Sequence, residues 1–211
     1  MKTTKDINYF NFLEHSEVNG PGSRAVLWVQ GCHFHCPGCY NRGSWGFVKA
    51  ELASPFQLTK RILGISGIEG VTFSGGEPLL QAEGLAEIAE ELQRHGLSVM
   101  LYTGYEMDEI KGLADASIQR LLRYTDILIT GRFKREIPAD RPWIGSGNQE
   151  IHLLSERYAP LQQERQYQET GRSFEVEIGR DGSVTATGFF PEELFTPASR
   201  TPRRAGKRGR E

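Results

Sequence analysis

Between residues 25 and 130, short apolar runs alternate with stretches whose apolar positions recur at helical spacing. Residues 25–29 are continuously apolar, which predicts a strand covered on both faces. Ser54-Pro55 reads as a helix start with proline in the first turn, and Phe56, Leu58, Ile62 and Leu63 carry the pattern to a break at Gly67. Residues 70–73 predict a second strand. A helix follows, with Leu79, Leu80, Ala82, Leu85, Ile88, Ala89 and Leu92 on helical spacing and Gly96 as its C-terminal stop. Residues 97–102 predict a third strand, and residues 126–129 a fourth. One helix is expected between them, marked by Met107, Ile110, Leu113, Ile118, Leu121 and Leu122.

Strand alternating with helix implies parallel strands joined by right-handed crossovers, hence an α/β sheet or part of a (β/α) barrel. From Ser173 the period shortens to two. Phe174, Val176 and Ile178 face one way, Glu175 and Glu177 the other, and Arg180-Asp181-Gly182 supplies turn chemistry before Val184, Ala186 and Gly188. A C-terminal hairpin over 173–189 is therefore expected. The predicted organisation is a single domain over residues 1–190, with a core of about 20–155, and a flexible basic tail over 191–211.

The chain has 211 residues, enough for one sizeable core, and its 38% hydrophobic and 25% charged residues fit a globular protein. No apolar stretch approaches a bilayer span, and the N-terminus lacks a secretory h-region, so no membrane partner is expected and the cytoplasm is the predicted compartment. The net charge of −2 hides an asymmetry: residues 200–211 carry +5 and the rest −7. The tail has no interleaved aromatics, which predicts a solubilising segment rather than a nucleic-acid contact.

The three cysteines, Cys32, Cys36 and Cys39, all fall within eight residues, directly after the first predicted strand. An odd, clustered set argues against a disulfide framework and for a metal or redox centre. Three thiolates at this spacing would leave one iron of a four-iron cluster without a protein ligand and open to a substrate or cofactor. The alternative is zinc, with His33 or His35 as fourth ligand, although zinc sites usually gather two pairs from separate turns. Ser74-Gly75-Gly76-Glu77-Pro78 follows the second strand. It reads either as a plain strand-to-helix turn or as a ligand contact made by close backbone and a polar helix start. Thr103-Gly104-Tyr105 and Thr130-Gly131-Arg132-Phe133 end the third and fourth strands. Four polar, glycine-bearing loops at the carboxyl ends of consecutive strands point to one mouth.

The cysteine loop followed by Gly-Gly-Glu-Pro resembles the radical S-adenosylmethionine superfamily. Asn19-Gly-Pro-Gly-Ser-Arg24, Trp28-Val-Gln-Gly-Cys32, Cys36-Pro-Gly-Cys-Tyr-Asn41, Thr103-Gly-Tyr105, residues 126–133 and Gly145-Ser-Gly-Asn-Gln149 resemble its glycyl-radical-enzyme activases. Within these they are most similar to the branch serving anaerobic ribonucleoside-triphosphate reductase. The likeness spans roughly residues 14–190 and implies a partial (β/α) barrel. It implies that Cys32, Cys36 and Cys39 hold one 4Fe–4S cluster. Tyr40, Ser74, Gly75, Gly76, Glu77, Thr103, Tyr105 and Asn148 would meet S-adenosylmethionine, Gly75–Glu77 at its amino group.

The implied partners are a glycyl-radical enzyme as protein substrate and an electron donor of flavodoxin or ferredoxin type. Asp126, Arg132, Asn148 and Gln149 match motif positions without a firm role. Asn19 and Thr130 depart from acidic residues common in the family, which bears on the substrate loop rather than on cofactor cleavage. Two rival readings stay open at this point. One is a small-molecule enzyme resembling 7-carboxy-7-deazaguanine synthase, and the other a non-catalytic metal-binding module.

Overall fold

The computed structural model describes residues 6–139, 141–162, 173–178, 182 and 184–189. The basic tail and part of the hairpin turn lie outside these residues. Seven strands form one sheet in the order β3-β1-β2-β4-β5-β6-β7. They are β1 (Ile7–Ser16), β2 (Arg24–Val29), β3 (Glu51–Ala53), β4 (Gly70–Gly75), β5 (Ser98–Tyr102), β6 (Ile127–Thr130) and β7 (Glu150–Leu153). The four central strands, β2, β4, β5 and β6, run parallel, while β1, β3 and β7 add to them antiparallel.

The central strands are the four expected from the apolar runs, and the cause of their continuous hydrophobicity is visible. Alternate residues enter two different apolar clusters. Ala25, Leu27, Val29, Val71, Phe73, Val99, Leu101 and Leu128 pack under α1 (Pro55–Leu63), α2 (Ala82–Arg94) and their neighbours. Met100, Ile127 and Ile129 point the other way, onto Ile144 and Tyr158. Both faces are covered, one by helices and the other by irregular chain, so these strands are buried except at their carboxyl ends, where Ser74, Gly75 and Tyr102 are half-buried.

The helix signals act as read at the ends. Ser54 caps α1 by accepting from Gln57 N, and the Gln57 side chain returns the bond to complete a capping box. At the end of α2, Gly96 takes φ +79, with its N–H on the Gln93 carbonyl and Leu97 N–H on Leu92, a Schellman stop. The single helix expected over 107–122 is two: α3 (Met107–Gly112) and α4 (Ala116–Arg123). Asp115 breaks it, because its carboxylate caps Ser117 N and so opens a new helix.

The hairpin forms as expected from β8 (Phe174–Ile178) and β9 (Val184–Gly188). Its acidic side faces the body, with Glu175 accepting from Ser16 Oγ at 2.7 Å and Glu17 N at 2.7 Å, while Val176 and Ile178 stand exposed. Among the described residues, no helix is long and apolar enough to cross a membrane.

At the amino edge of the parallel strands, the Arg24 side chain is fully buried. Its guanidinium donates to Thr72 Oγ1 (3.0 Å), Ser98 Oγ (2.8 Å), the Pro21 carbonyl (3.1 Å) and the Val71 carbonyl (2.8 Å). Tyr158 bridges Ser98 to Glu69. A charge this deep is tolerated only because its donors are matched. Arg24→Ala should cost about 3 kcal/mol, from a cavity and orphaned acceptors, and Arg24→Lys should recover little because one ammonium cannot span those partners. Urea unfolding of the variants measures this, and a cost for Arg24→Ala below about 1 kcal/mol would show the network to be dispensable.

Candidate functional site

Because β2, β4, β5 and β6 are parallel, the loops leaving their carboxyl ends share one edge of the sheet. The first two are clasped together through backbone. Gly76 N donates to the Val29 carbonyl at 2.8 Å and Glu77 N to the Gly31 carbonyl at 2.8 Å. A Cβ on Gly76 would stand 2.3 Å from the Gly31 oxygen, and one on Gly75, whose φ is +104, would stand 2.5 Å from Val29 N. The two glycines therefore admit the neighbouring strand's backbone, a packing requirement that exists before any ligand arrives.

Glu77 joins the third strand to this pair. Its side chain is 1% exposed. Oε1 accepts from Leu79 N (2.9 Å) and Thr103 Oγ1 (2.8 Å), and Oε2 accepts from Gly104 N (2.8 Å). Burial pushes its pKa up to about 7 from an ordinary 4.5, against the pull of the hydrogen bonds to Leu79, Gly104 and Thr103. Three acceptor positions are filled, which leaves room for one more donor on Oε2.

Beyond β6, Gln149 Nε2 donates to the Gly131 carbonyl at 2.9 Å, and its Oε1 accepts from Gly145 N at 2.7 Å. Asn148 Nδ2 donates to the Arg132 carbonyl at 2.9 Å, while its buried Oδ1 has no partner. Arg132 makes a two-pronged ion pair with Glu109 on α3 and lies over the Phe34 ring, 4.5 Å from its centroid. Phe34 in turn meets Tyr105 edge-on at 4.9 Å and covers Gly104.

The resulting cavity is lined by Cys32, Cys36, Cys39, Ser74, Gly75, Gly76, Glu77 and Thr103, all singled out in the sequence. Tyr105 lies beside it, behind Phe34. Tyr40 is not in the wall: it is exposed and packs edge-on against Phe133 at 5.4 Å and Phe189 at 5.9 Å. Asn148 also sits behind the lining. Asp126 is at the opposite edge, at the start of β6, where its carboxylate accepts from Val99 N and Ser155 Oγ. Asn19 is at that edge too, donating to Ser16 Oγ and Thr187 Oγ1 and so tying down the hairpin. Thr130 contacts His152 Nε2 at 2.9 Å. Phe34, within the cysteine loop, and Gln149, one of the motif positions without a firm role, also line the cavity, as does Trp45, which no motif marks. Trp45 is a single aromatic after the cysteine loop, yet its carbonyl receives Cys32 N at 3.0 Å.

All three cysteines are free thiols, Cys32 buried and the other two half-buried. Burial raises the pKa of Cys32 and Cys36. Among the described residues, no three His, Cys, Asp or Glu side chains gather closely enough to hold a single metal ion. His33 packs on Phe34 and His35 on Trp45, both exposed at the rim. A cubane separates its ligands by its own width and does not ask for convergence on a point. Three thiols on one short loop, facing the same cavity as Glu77 and the glycine-bared backbone, fit such a group and a polar co-ligand.

This combination, a parallel α/β sheet with a three-cysteine loop after its first parallel strand, defines an iron–sulfur class, and residues 18–152 match the family model described as a 4Fe-4S single cluster domain. Three anaerobic ribonucleoside-triphosphate reductase-activating proteins are similar to the chain. That of Enterobacteria phage T4 is 33% identical over 69% of this chain and 93% of its own length. That of Haemophilus influenzae is 35% identical over 69% and 97%, and that of Escherichia coli K12 30% identical over 70% and 99%. The solved structure of QueE from Escherichia coli superimposes with a TM-score of 0.38 at 20% identity, over 47% of this chain and 52% of its own. The chain belongs to the family of anaerobic ribonucleoside-triphosphate reductase-activating proteins.

The buried carboxyl makes a pH prediction. The folded chain holds the Glu77 proton more tightly than the unfolded chain does. The associated stability is complete below about pH 4.5 and is lost as pH rises through about 7, by roughly 3 kcal/mol in all. The Tm of cluster-free protein should therefore fall between about pH 5 and pH 8, and Glu77→Gln should flatten that fall. An equal slope in both proteins would mean that Glu77 is ionised throughout.

Proposed function

We propose that the chain is a radical S-adenosylmethionine enzyme that installs a glycyl radical on a partner anaerobic ribonucleoside-triphosphate reductase, drawing its electron from a flavodoxin- or ferredoxin-type donor. The observation that carries this reading is the convergence of the three thiols, the Gly75-Gly76-Glu77 turn and the Thr103 loop on one cavity, in a chain of the activating-protein family.

Residues 1–190 form one domain in this reading, built as a partial (β/α) barrel whose incomplete closure admits a partner's loop. Cys32, Cys36 and Cys39 are the ligands of the cluster, each a thiolate when loaded. When bound, the cluster and S-adenosylmethionine supply one-electron cleavage of the sulfonium to methionine and a 5′-deoxyadenosyl radical, which takes a hydrogen atom from the partner's glycine.

The residues of the chain bind and orient. The free acceptor position on Glu77 Oε2, with the backbone of Gly75 and Gly76 beside it, would receive the methionyl ammonium. That cation offsets the desolvation of the carboxylate and favours its ionised form. Ser74 and Thr103 stand next to it, with Thr103 Oγ1 holding the carboxylate in place. Asn148, behind the lining, would support the site by holding the Arg132 carbonyl at 2.9 Å, and Tyr105 backs Phe34. Tyr40, with Phe133 and Phe189, shields the outer side of the cysteine loop from water.

Anaerobically reconstituted, reduced protein should convert S-adenosylmethionine slowly to 5′-deoxyadenosine without any partner. Adding the partner reductase should produce a glycyl doublet in the electron paramagnetic resonance spectrum. Cys36→Ala should remove the cluster absorbance and the 5′-deoxyadenosine together. A variant that still made 5′-deoxyadenosine would overturn the ligand assignment.

A further inference from the structure

The C-terminal hairpin is fastened to the body without enlarging its core. Among the residues of β8 and β9 only Thr187 is buried, while Val176, Ile178 and Val184 stand exposed. The attachments are polar: Glu175 accepts from Ser16 Oγ and Glu17 N, and Thr187 Oγ1 accepts from Asn19 Nδ2 at 2.8 Å. Strands that bury so little apolar surface contribute little to the core of the body. The hairpin also lies past residue 152, where the family match ends, and about 70% of this chain accommodates nearly the whole length of its relatives.

What the hairpin delivers to the body is Phe189. Gly188, at φ +99, turns the chain out of β9, and a Cβ there would stand 2.4 Å from the Ser173 carbonyl oxygen. Phe189 N donates to that same oxygen at 2.9 Å, so the backbone on either side of the turn is fixed. The Phe189 ring then closes on Gly145 together with the Phe133 ring, since a Cβ on Gly145 would meet each at 3.0 Å. Tyr40 meets both rings edge-on, completing a cluster of three.

Two members of that cluster belong to the site. Tyr40 directly follows Cys39, and Phe133 lines the cavity. The Phe133 ring also lies against Gly38, between Cys36 and Cys39, where a Cβ would meet it at 3.3 Å. Burial raises the Cys36 pKa and the Phe133 backbone N–H pulls it back, so Phe133 reaches that sulfur as well. Phe189 itself is not in the cavity wall.

We propose that the hairpin is a clasp for the cavity and that Phe189 is a positioning residue, packed with Phe133 and Tyr40 to fix the wall where it meets the cysteine loop. The inference rests on the function proposed above, which gives that wall a cofactor to receive. Phe189 acts only through its two neighbours. Groups that surround a metal ligand and hold it in place set how firmly the metal is kept and how well the site works.

The test uses the full chain carrying Phe189→Ala. In the folded, cluster-free protein, hydrogen exchange of residues 36–41 and 131–135 should quicken by about tenfold, while that of β5 stays unchanged. In the reconstituted holoenzyme, a chelator should strip iron about tenfold faster, and the KM for S-adenosylmethionine should rise by about as much with kcat for 5′-deoxyadenosine held. Phe189→Leu, which keeps apolar bulk, should recover most of each effect. Glu175→Ala, which loosens the hairpin without touching any of the three rings, should move every measure in the same direction.

Wild-type exchange and chelation rates in Phe189→Ala would overturn the proposal. So would faster exchange that extends equally to β5, since Phe189 would then support the fold as a whole rather than the wall. A wild-type protein that holds no iron, or that leaves S-adenosylmethionine intact, would instead bring down the underlying reading of function, with the exchange result still deciding whether the clasp exists.

Discussion

One carboxylate and two glycines hold the working end of this molecule together. Parallel strands are joined along their length by regular hydrogen bonds, but those bonds stop where the strands end, and each emerging loop must then find its own partners. Here Gly76 and Glu77 spend their N–H groups on the chain leaving β2, and the Glu77 side chain reaches the chain leaving β5. Three separate loops become one wall. The cysteine loop grows from that wall, since Gly31, which receives Glu77 N, immediately precedes Cys32. Its position relative to the other strand ends is set by backbone contacts too close to tolerate a methyl group.

The opposite edge solves a related problem with a cation. Arg24 fills the amino end of the sheet with donors for Thr72, Ser98 and nearby carbonyls, and Tyr158 relays toward Glu69. Asn19 and Asp126, residues the family likeness drew attention to, belong to this end. Their motifs are explained by anchoring: Asn19 secures the hairpin, and Asp126 ties β6 to the amino end of β5. A short sequence motif can therefore reflect assembly of the frame as much as contact with a ligand.

The interior of the fold was legible in the chain, and its margins were not. The central strands announced themselves because both faces are buried, so every residue from Ala25 to Val29 is apolar or nearly so. Strand β1 mixes Asn and Glu among its aromatics and is bulged, and β3 and β7 are three and four residues long, so their periods are too short or too broken to read. In the hairpin the alternation is plain, but periodicity separates two faces without saying which turns inward. Glu175 decided that by reaching Ser16, far away in sequence. At the site, the loops with special spacing were readable. Gln149 was marked by its motif but not as part of the wall, and Trp45 was not marked at all, because a single aromatic carries no pattern.

The formal charge of −2 counts every carboxyl as a full negative. Glu77 does not obey that convention. Burial pushes its pKa up to about 7, so near neutrality it holds its proton part of the time, and it sits near Cys32 and Cys36, whose ionisation burial also disfavours. The cavity is thus less negative than its formula suggests, and each group it admits redistributes protons as well as space. What enters this site is weighed partly by the acidity of the surrounding solution.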